Sequence, residues 1–153
     1  MSRSTAFWDF SALIPLCIQE QTSNQTRAMA KQFAPVVWWA TAVEIRSAIA
    51  RLCRSGDLDD AGKQAALGRL LVLKQGWREV LPGDKLRDQA EALLDTYSLR
   101  AADGLQLAAA MSWCQQKPAR RGFISGDVRL CEAASRAGFT VLRPGLPVPS
   151  SRL

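Results

Sequence analysis

The chain has 153 residues, a formal net charge of +6 and a hydrophobic fraction of 48%. This length is typical of a single domain, and so apolar a composition excludes a disordered chain. No apolar run approaches the roughly 20 residues of a membrane span, and no long apolar segment follows the N-terminus as in a secretory signal. We therefore expect one domain over residues 1–153 in the cytoplasm, with its core at 6–142 and an irregular tail at 143–153.

The sequence contains four cysteines, none of them at Cys-x-x-Cys spacing, and no histidine. A zinc site is therefore not expected. Each cysteine falls in a predicted helix, as a small buried side chain in a reducing compartment would. The excess of positive charge favours polyanionic partners such as RNA or DNA, if the acids are gathered in one place and the bases lie elsewhere.

The first half of the chain alternates strand and helix patterns. The predicted elements are a strand at 6–8, helices at 11–20 and 25–33, a strand at 36–39, a helix capped by Thr41 that ends at 55–56, and a helix at 59–75. Pro15 is placed in the first turn of its helix, where proline is tolerated. Pro35 is expected to stop the helix before it. The last two helices would form an αα-hairpin with apolar residues on one side of each helix.

The second half continues the alternation. The predicted elements are an extended piece at 77–81, a helix at 84–97, a helix from 98 or 99 to 116, a basic loop at 117–122, a strand at 123–125, a helix at 127–137 and a strand at 140–142. Strands that alternate with helices predict an α/β fold, with a mostly parallel sheet of about four to five strands and helices on both faces.

Four acids stand at or near predicted helix starts, and each has a structural explanation. Asp9 and Asp127 are of the residue type favoured at N-caps. Glu44 lies three residues after Thr41, the spacing of a capping box. Asp103 falls in or near a first turn, where a negative charge suits the helix dipole.

The joint pattern of these acids points to chemistry instead. Asp9, Glu44 and Asp127 each follow a predicted strand within a few residues, so a parallel sheet would bring them to one edge. Asp103 projects among apolar helix neighbours, where an unpaired carboxylate is costly. Four carboxylates in one crevice, without histidine, suit a hard cation such as Mg²⁺ or Mn²⁺.

Four segments of the chain resemble motifs of the PIN-domain proteins, in particular the VapC-type toxins of bacterial toxin–antitoxin pairs. They are residues 8–13, 41–48, 99–108 and 123–130. The motifs occur in the family's order between residues 6 and 142, and the last two are the most specific. The resemblance implies a PIN-like α/β/α sandwich and a metal-dependent endoribonuclease.

In that family the motif acids are catalytic and hold the metal, here Mg²⁺ or Mn²⁺; the matching residues are Asp9, Glu44, Asp103 and Asp127. Ser11 and Ser125 match hydroxyl positions beside them, although ordinary cap or turn hydroxyls are an equal alternative. The resemblance also implies a homodimer, a cognate antitoxin bound at the predicted hairpin, and products with a 5′-phosphate and a 3′-hydroxyl.

The chain departs from the family pattern at three positions. Gln106 stands where many relatives have histidine, Gly104 where alanine is usual, and Trp8 where an aliphatic residue is common. These changes leave the acids intact, so they bear on substrate choice and packing.

Basic side chains that could contact RNA are predicted outside the acidic motifs. The candidates are Arg27, Lys31, Lys117, Arg120 and Arg121. A solvated surface charge is the more common role of such a side chain. Trp38 and Trp39 alternate faces on a predicted strand, so at least one of them should be in the core.

Two other classes of function fit the sequence less well, namely a non-catalytic binding module and an acid-rich phosphotransfer fold. A non-catalytic PIN-like binding or regulatory module, acting through a partner protein, would not need intact acids. A haloacid-dehalogenase-like phosphatase needs a second aspartate two residues after the first, and Ser11 occupies that position. A receiver domain needs paired acids at the first strand and a lysine near the last, and the sequence shows neither.

Overall fold

The computed structural model describes residues 3–146, in which strands and helices alternate. The strands are β1 (Ser4–Trp8), β2 (Phe33–Trp38), β3 (Arg78–Val80), β4 (Gly122–Ile124) and β5 (Thr140–Leu142). The helices are α1 (Phe10–Cys17), α2 (Ser23–Gln32), α3 (Thr41–Ser55), α4 (Asp60–Gly76), α5 (Asp84–Thr96), α6 (Ala101–Trp113) and α7 (Val128–Ala137).

All five strands are parallel and lie in the order β3-β2-β1-β4-β5. The chain builds one side of the sheet from β1 to β3, then crosses to β4 on the other side of β1. In such sheets ligands bind outside the carboxyl ends of the strands where the order reverses, here between β1 and β4. The predicted α/β fold with helices on both faces is confirmed, and the sheet is entirely parallel.

Two hydrophobic layers cover the sheet because successive strand residues point to opposite faces. Phe7 and Phe123 stack, with ring centroids 5.4 Å apart, on the face covered by α5, α6 and α7. Trp8 and Ile124 lie on the other face, against α1 to α4. Trp38 is buried and Trp39 is 53% exposed, as alternation on a strand predicts.

The two prolines were placed wrongly from the sequence. Pro35 lies within β2, paired with Ala6 of β1, and does not stop the preceding helix. It is tolerated because β3 begins to pair only at Val36, so no second strand needs the missing N–H of Pro35. Pro15 lies in the second turn of α1, and the helix ends two residues later at Cys17, short of the predicted end at residue 20.

Other predicted helix limits also differ. Thr41 is the first residue of α3 rather than its cap, since Ala40 takes the N-cap position without a side-chain hydrogen bond. The helix α6 begins at Ala101 and ends at Trp113 rather than residue 116. It stops there because Gln115 and Gln116 have φ angles of 54° and 64°, in the left-handed region.

The departure at Gly104 has a packing explanation. A Cβ added there would lie 2.8 Å from Cδ2 of Leu94 and 3.4 Å from the backbone oxygen of Ala90. Glycine therefore permits the close approach of α6 to α5.

No helix within residues 3–146 has the length and apolarity needed to span a membrane.

The core predicts a clear difference between two leucines. Leu107 is a fully buried residue of α6, whereas Leu81, which follows β3, is 67% exposed. Leu107→Ala should lower the free energy of unfolding by about 2–5 kcal/mol, because truncation leaves a cavity. Leu81→Ala should change it by less than about 0.5 kcal/mol. Urea denaturation measures both, and equal losses would contradict this core assignment.

Candidate active site

The four acids lie around the carboxyl edge of the sheet. Asp9 directly follows β1, Asp127 follows β4 by three residues, and Glu44 and Asp103 stand in the first turns of α3 and α6. Glu44, Asp103 and Asp127 line one cleft of about 540 Å³, together with Phe10, the neighbour of Asp9. The structure therefore brings the predicted acids into one neighbourhood.

Asp9 is the most deeply buried of these acids, at 1% exposure. Its Oδ2 accepts hydrogen bonds from Ser11 Oγ at 2.5 Å and from Ser125 Oγ at 2.9 Å. The Asp9 side chain makes no hydrogen bond to the N-terminus of α1, so it does not act as a side-chain cap of that helix. Burial raises the pKa of Asp9 to about 6, although both serine hydroxyls act to lower it.

The two serines also connect the loops on which the acids stand. The backbone N–H of Gly126 donates to Ser11 Oγ at 2.9 Å, and that of Asp127 donates to Ser125 Oγ at 3.0 Å. The loop after β4 is thus joined to the start of α1. This arrangement fixes the backbone of Asp127 relative to Asp9.

Glu44 does not form the capping box that its spacing suggested. Its Oε1 accepts a hydrogen bond of 2.6 Å from Nε2 of Gln106, which reaches across from α6 and is itself 1% exposed. Gln106 Nε2 also lies 3.4 Å from Thr41 Oγ1. Burial and the negative charge of Asp9 raise the pKa of Glu44 to about 7, while the Gln106 bond acts to lower it.

Asp103 and Asp127 complete the group. Burial raises the pKa of Asp103, as does the charge of Asp127, while the backbone N–H and the guanidinium of Arg100 lower it. For Asp127 the structural explanation holds in part, because its Oδ1 caps α7 by accepting from the N–H of Leu130 at 2.9 Å. The cap uses one of its two carboxylate oxygens.

The acids supply oxygen donors for a metal ion but do not converge on one point. Within residues 3–146, no three acidic, cysteine or histidine side chains stand close enough together to hold one ion in their present positions. One atom nevertheless points to a ligand: Oδ1 of Asp9 is buried and has no hydrogen-bond partner among the described residues. Oxygen donors alone fit a hard cation such as Mg²⁺ or Mn²⁺.

The predicted basic candidates do not line this cleft. Lys117 and Arg120 precede β4, and Lys31 precedes β2. These three residues therefore lie at the amino ends of the strands, opposite the acids. Arg121 lies over the ring of Trp113, 5.3 Å from its centroid. Arg27 bonds to Asn24 on the surface of α2.

The cations that do line the cleft are Arg100 and Arg129. Sequence reasoning passed over both, because each is a single residue at a helix start rather than part of a basic run. Their position in the two most specific acidic motifs could have indicated them, since Arg100 lies three residues before Asp103 and Arg129 lies two residues after Asp127.

Comparison with known proteins gives the fold. No protein-family model and no curated protein sequence matches the chain. A chain of a toxin–antitoxin complex from Klebsiella pneumoniae is 16% identical, with 82% of this chain and 88% of that chain covered and a TM-score of 0.57. A chain of VapBC2 from Rickettsia felis, bound to promoter DNA, is 8% identical, with 91% and 98% covered and a TM-score of 0.63.

A third similar structure is FitAB bound to an IR36 DNA fragment, at 16% identity, with 96% of this chain and 100% of that chain covered and a TM-score of 0.59. At such identities the likeness shows a shared fold. The resemblance to VapC-type PIN domains noted in the sequence is thereby confirmed at the level of the fold.

The raised pKa values predict how stability depends on pH without metal. Asp9 and Glu44 have ordinary pKa values of 3.8 and 4.5, which burial in the fold raises to about 6 and about 7. Folding therefore favours their protonated forms, and the stability this contributes is lost as pH rises from about 4 through about 7. Glu44→Gln mimics the protonated side chain. The free energy of unfolding of this variant should therefore fall less as pH rises, and the variant should be more stable than the parent near pH 8.

Urea denaturation in EDTA at pH 5 and pH 8 measures this difference. Glu91→Gln, a change of an exposed glutamate on α5, is the control and should follow the parent. The same pH dependence in the parent and in Glu44→Gln would mean that the fold does not disfavour the ionised form of Glu44.

Proposed function

We propose that the chain is the toxin of a type II toxin–antitoxin pair and acts as a Mg²⁺- or Mn²⁺-dependent endoribonuclease in the cytoplasm. The observation that carries this proposal is the cleft at the carboxyl edge of the sheet, where Glu44, Asp103 and Asp127 lie near Asp9, whose buried Oδ1 has no hydrogen-bond partner within residues 3–146. The shared fold with chains of toxin–antitoxin complexes supports the toxin assignment.

Asp9, Asp103 and Asp127 are the proposed metal ligands. Asp9 would offer its free Oδ1, while Ser11 and Ser125 hold Oδ2 and so orient the carboxylate. Asp127 would contribute the oxygen that does not cap α7. A divalent cation bound by these groups supplies charge neutralisation at a phosphate and activation of a water molecule.

Glu44 has a different proposed role. Gln106 holds one of its oxygens at 2.6 Å, which leaves the other free to orient a water molecule beside the scissile phosphate. The ionised carboxylate could also take up a proton of that water. In-line attack would then break the bond to the 3′ oxygen of the preceding nucleotide, leaving a 3′-hydroxyl and a 5′-phosphate.

A cleavage assay tests the enzymatic proposal. The purified protein should cut single-stranded RNA with Mg²⁺ or Mn²⁺ and stop in EDTA. Asp103→Asn should lower the rate by more than about 100-fold, since even residues that only position metal ligands cost 10–100-fold when changed. Asp84→Asn removes another first-turn acid, exposed at the start of α5, and should cut like the parent.

Undiminished cleavage in excess EDTA would refute the metal mechanism. Metal binding without cleavage of any RNA would favour the alternative, a PIN-like module that acts only through a partner protein.

The hairpin of α3 and α4 is the proposed surface for a second copy of the chain and for an antitoxin. Leu71 and Val72 of α4 are 59% and 67% exposed, and Val72 lines an apolar groove of about 430 Å³ with Leu16 and Ala30. A contiguous apolar surface of this kind is typical of a protein interface.

Light scattering tests the homodimer. The parent should be dimeric at micromolar concentration, and Val72→Lys should shift it towards the monomer. Leu81→Lys changes a residue that is also 67% exposed, outside the hairpin, and should leave the dimer intact. A monomeric parent, or equal effects of the two lysines, would count against this interface.

A further inference from the structure

A second cleft of about 200 Å³ adjoins the acidic one. Its walls are Tyr97 and Ser98, between α5 and α6, and one side of α7 that carries Arg129, Glu132 and Arg136. Arg129 lines both clefts, so the second cleft adjoins the acidic one at this side chain and extends from it along α7. We refer to this second cleft as the α7 groove.

The α7 groove presents two cations without a salt-bridge partner in the described part of the chain, although the charge of Arg129 also lowers the pKa of Asp103. Arg129 and Arg136 are exposed, and neither forms a salt bridge within residues 3–146, where the single ion pair joins Arg87 to Asp84. Glu132 shares the groove but leaves it with a net positive charge. Arg136 also suits the negative end of the α7 dipole, so its presence alone does not require a ligand.

The spacing of the two arginines indicates the kind of ligand. They are seven residues apart on one helix, which places them on one side and about 10 Å apart along its axis. Two cations this far apart suit two phosphates of one strand better than a single phosphate group. Tyr97 adds an aromatic wall of the kind on which single-stranded bases stack.

The acidic cleft favours such a path. A polyanion that places one phosphate beside these carboxylates meets repulsion there without a metal ion, and adjacent cations offset this repulsion by binding its flanking phosphates. The cations predicted from the sequence at Lys31, Lys117 and Arg120 lie at the opposite edge of the sheet.

We propose that the RNA segment next to the scissile phosphate lies in the α7 groove, with its backbone phosphates bound by Arg129 and Arg136. This proposal rests on the proposed ribonuclease function and specifies the path of its substrate.

Binding of a labelled 12-nucleotide single-stranded RNA, measured by fluorescence anisotropy in EDTA over a range of salt concentrations, tests the path. Each phosphate contact to a single strand contributes about 0.7 to the slope of log K against log salt. Arg136→Gln should reduce the slope by about 0.7, and Arg129→Gln with Arg136→Gln by about 1.4. Arg136→Lys keeps the charge and should keep the slope.

Lys117→Gln, at the opposite edge, is the matched control and should leave the slope unchanged. An unchanged slope in the double variant would overturn the proposal and leave the groove to another partner, such as an acidic peptide. A loss that is equal in Arg136→Gln and Arg136→Lys would also overturn it, because phosphate binding depends on charge. Cleavage by the parent in Mg²⁺ is scored separately, so a failed path and a failed ribonuclease function give different results.

Discussion

The candidate site is organised around a carboxylate, Asp9, that is buried at the carboxyl end of the central strand β1. Asp9 is 1% exposed, and removing an ionised group from water is costly unless it is paired, hydrogen-bonded or neutralised. Two serine hydroxyls satisfy Oδ2, and Oδ1 is left without a partner among the described residues. A protein that keeps such a group gains nothing in stability from it, which is why a functional role is the better explanation.

The strand order provides the means of assembling this site. Because β1 lies between β2 and β4, the residues that follow β1 and β4 meet at the point where the order of the sheet reverses. Ser11 and Ser125 then tie the two loops together, each by accepting a backbone N–H and donating to Asp9. The helices α3 and α6 deliver the remaining acids from opposite layers, so the site spans the whole thickness of the sandwich.

Much of this could be predicted from the sequence because the signals are local. Asp9 and Asp127 follow apolar strands within three residues, and α7 ends at residue 137 as predicted, where Gly138 has a φ of 114°. The contact of Glu44 with Gln106 joins residues 62 positions apart, and no local pattern encodes it. Pro35 was misplaced for a similar reason, since its tolerance depends on where β3 begins to pair. The cations of the cleft come from single residues that only the fold brings together.

We propose that Asp103 belongs to a metal site rather than serving only as a first-turn acid of α6. Thermal melting of the parent and of Asp103→Asn, in EDTA and in Mg²⁺, distinguishes these two roles. A cation that binds only the folded state stabilises it by about 2.7 kcal/mol at a hundredfold excess over Kd. The parent should gain this and the variant much less, while in EDTA the variant should be at least as stable because one repelling charge is gone. A variant that is less stable in EDTA, and that gains as much from Mg²⁺ as the parent, would contradict the account.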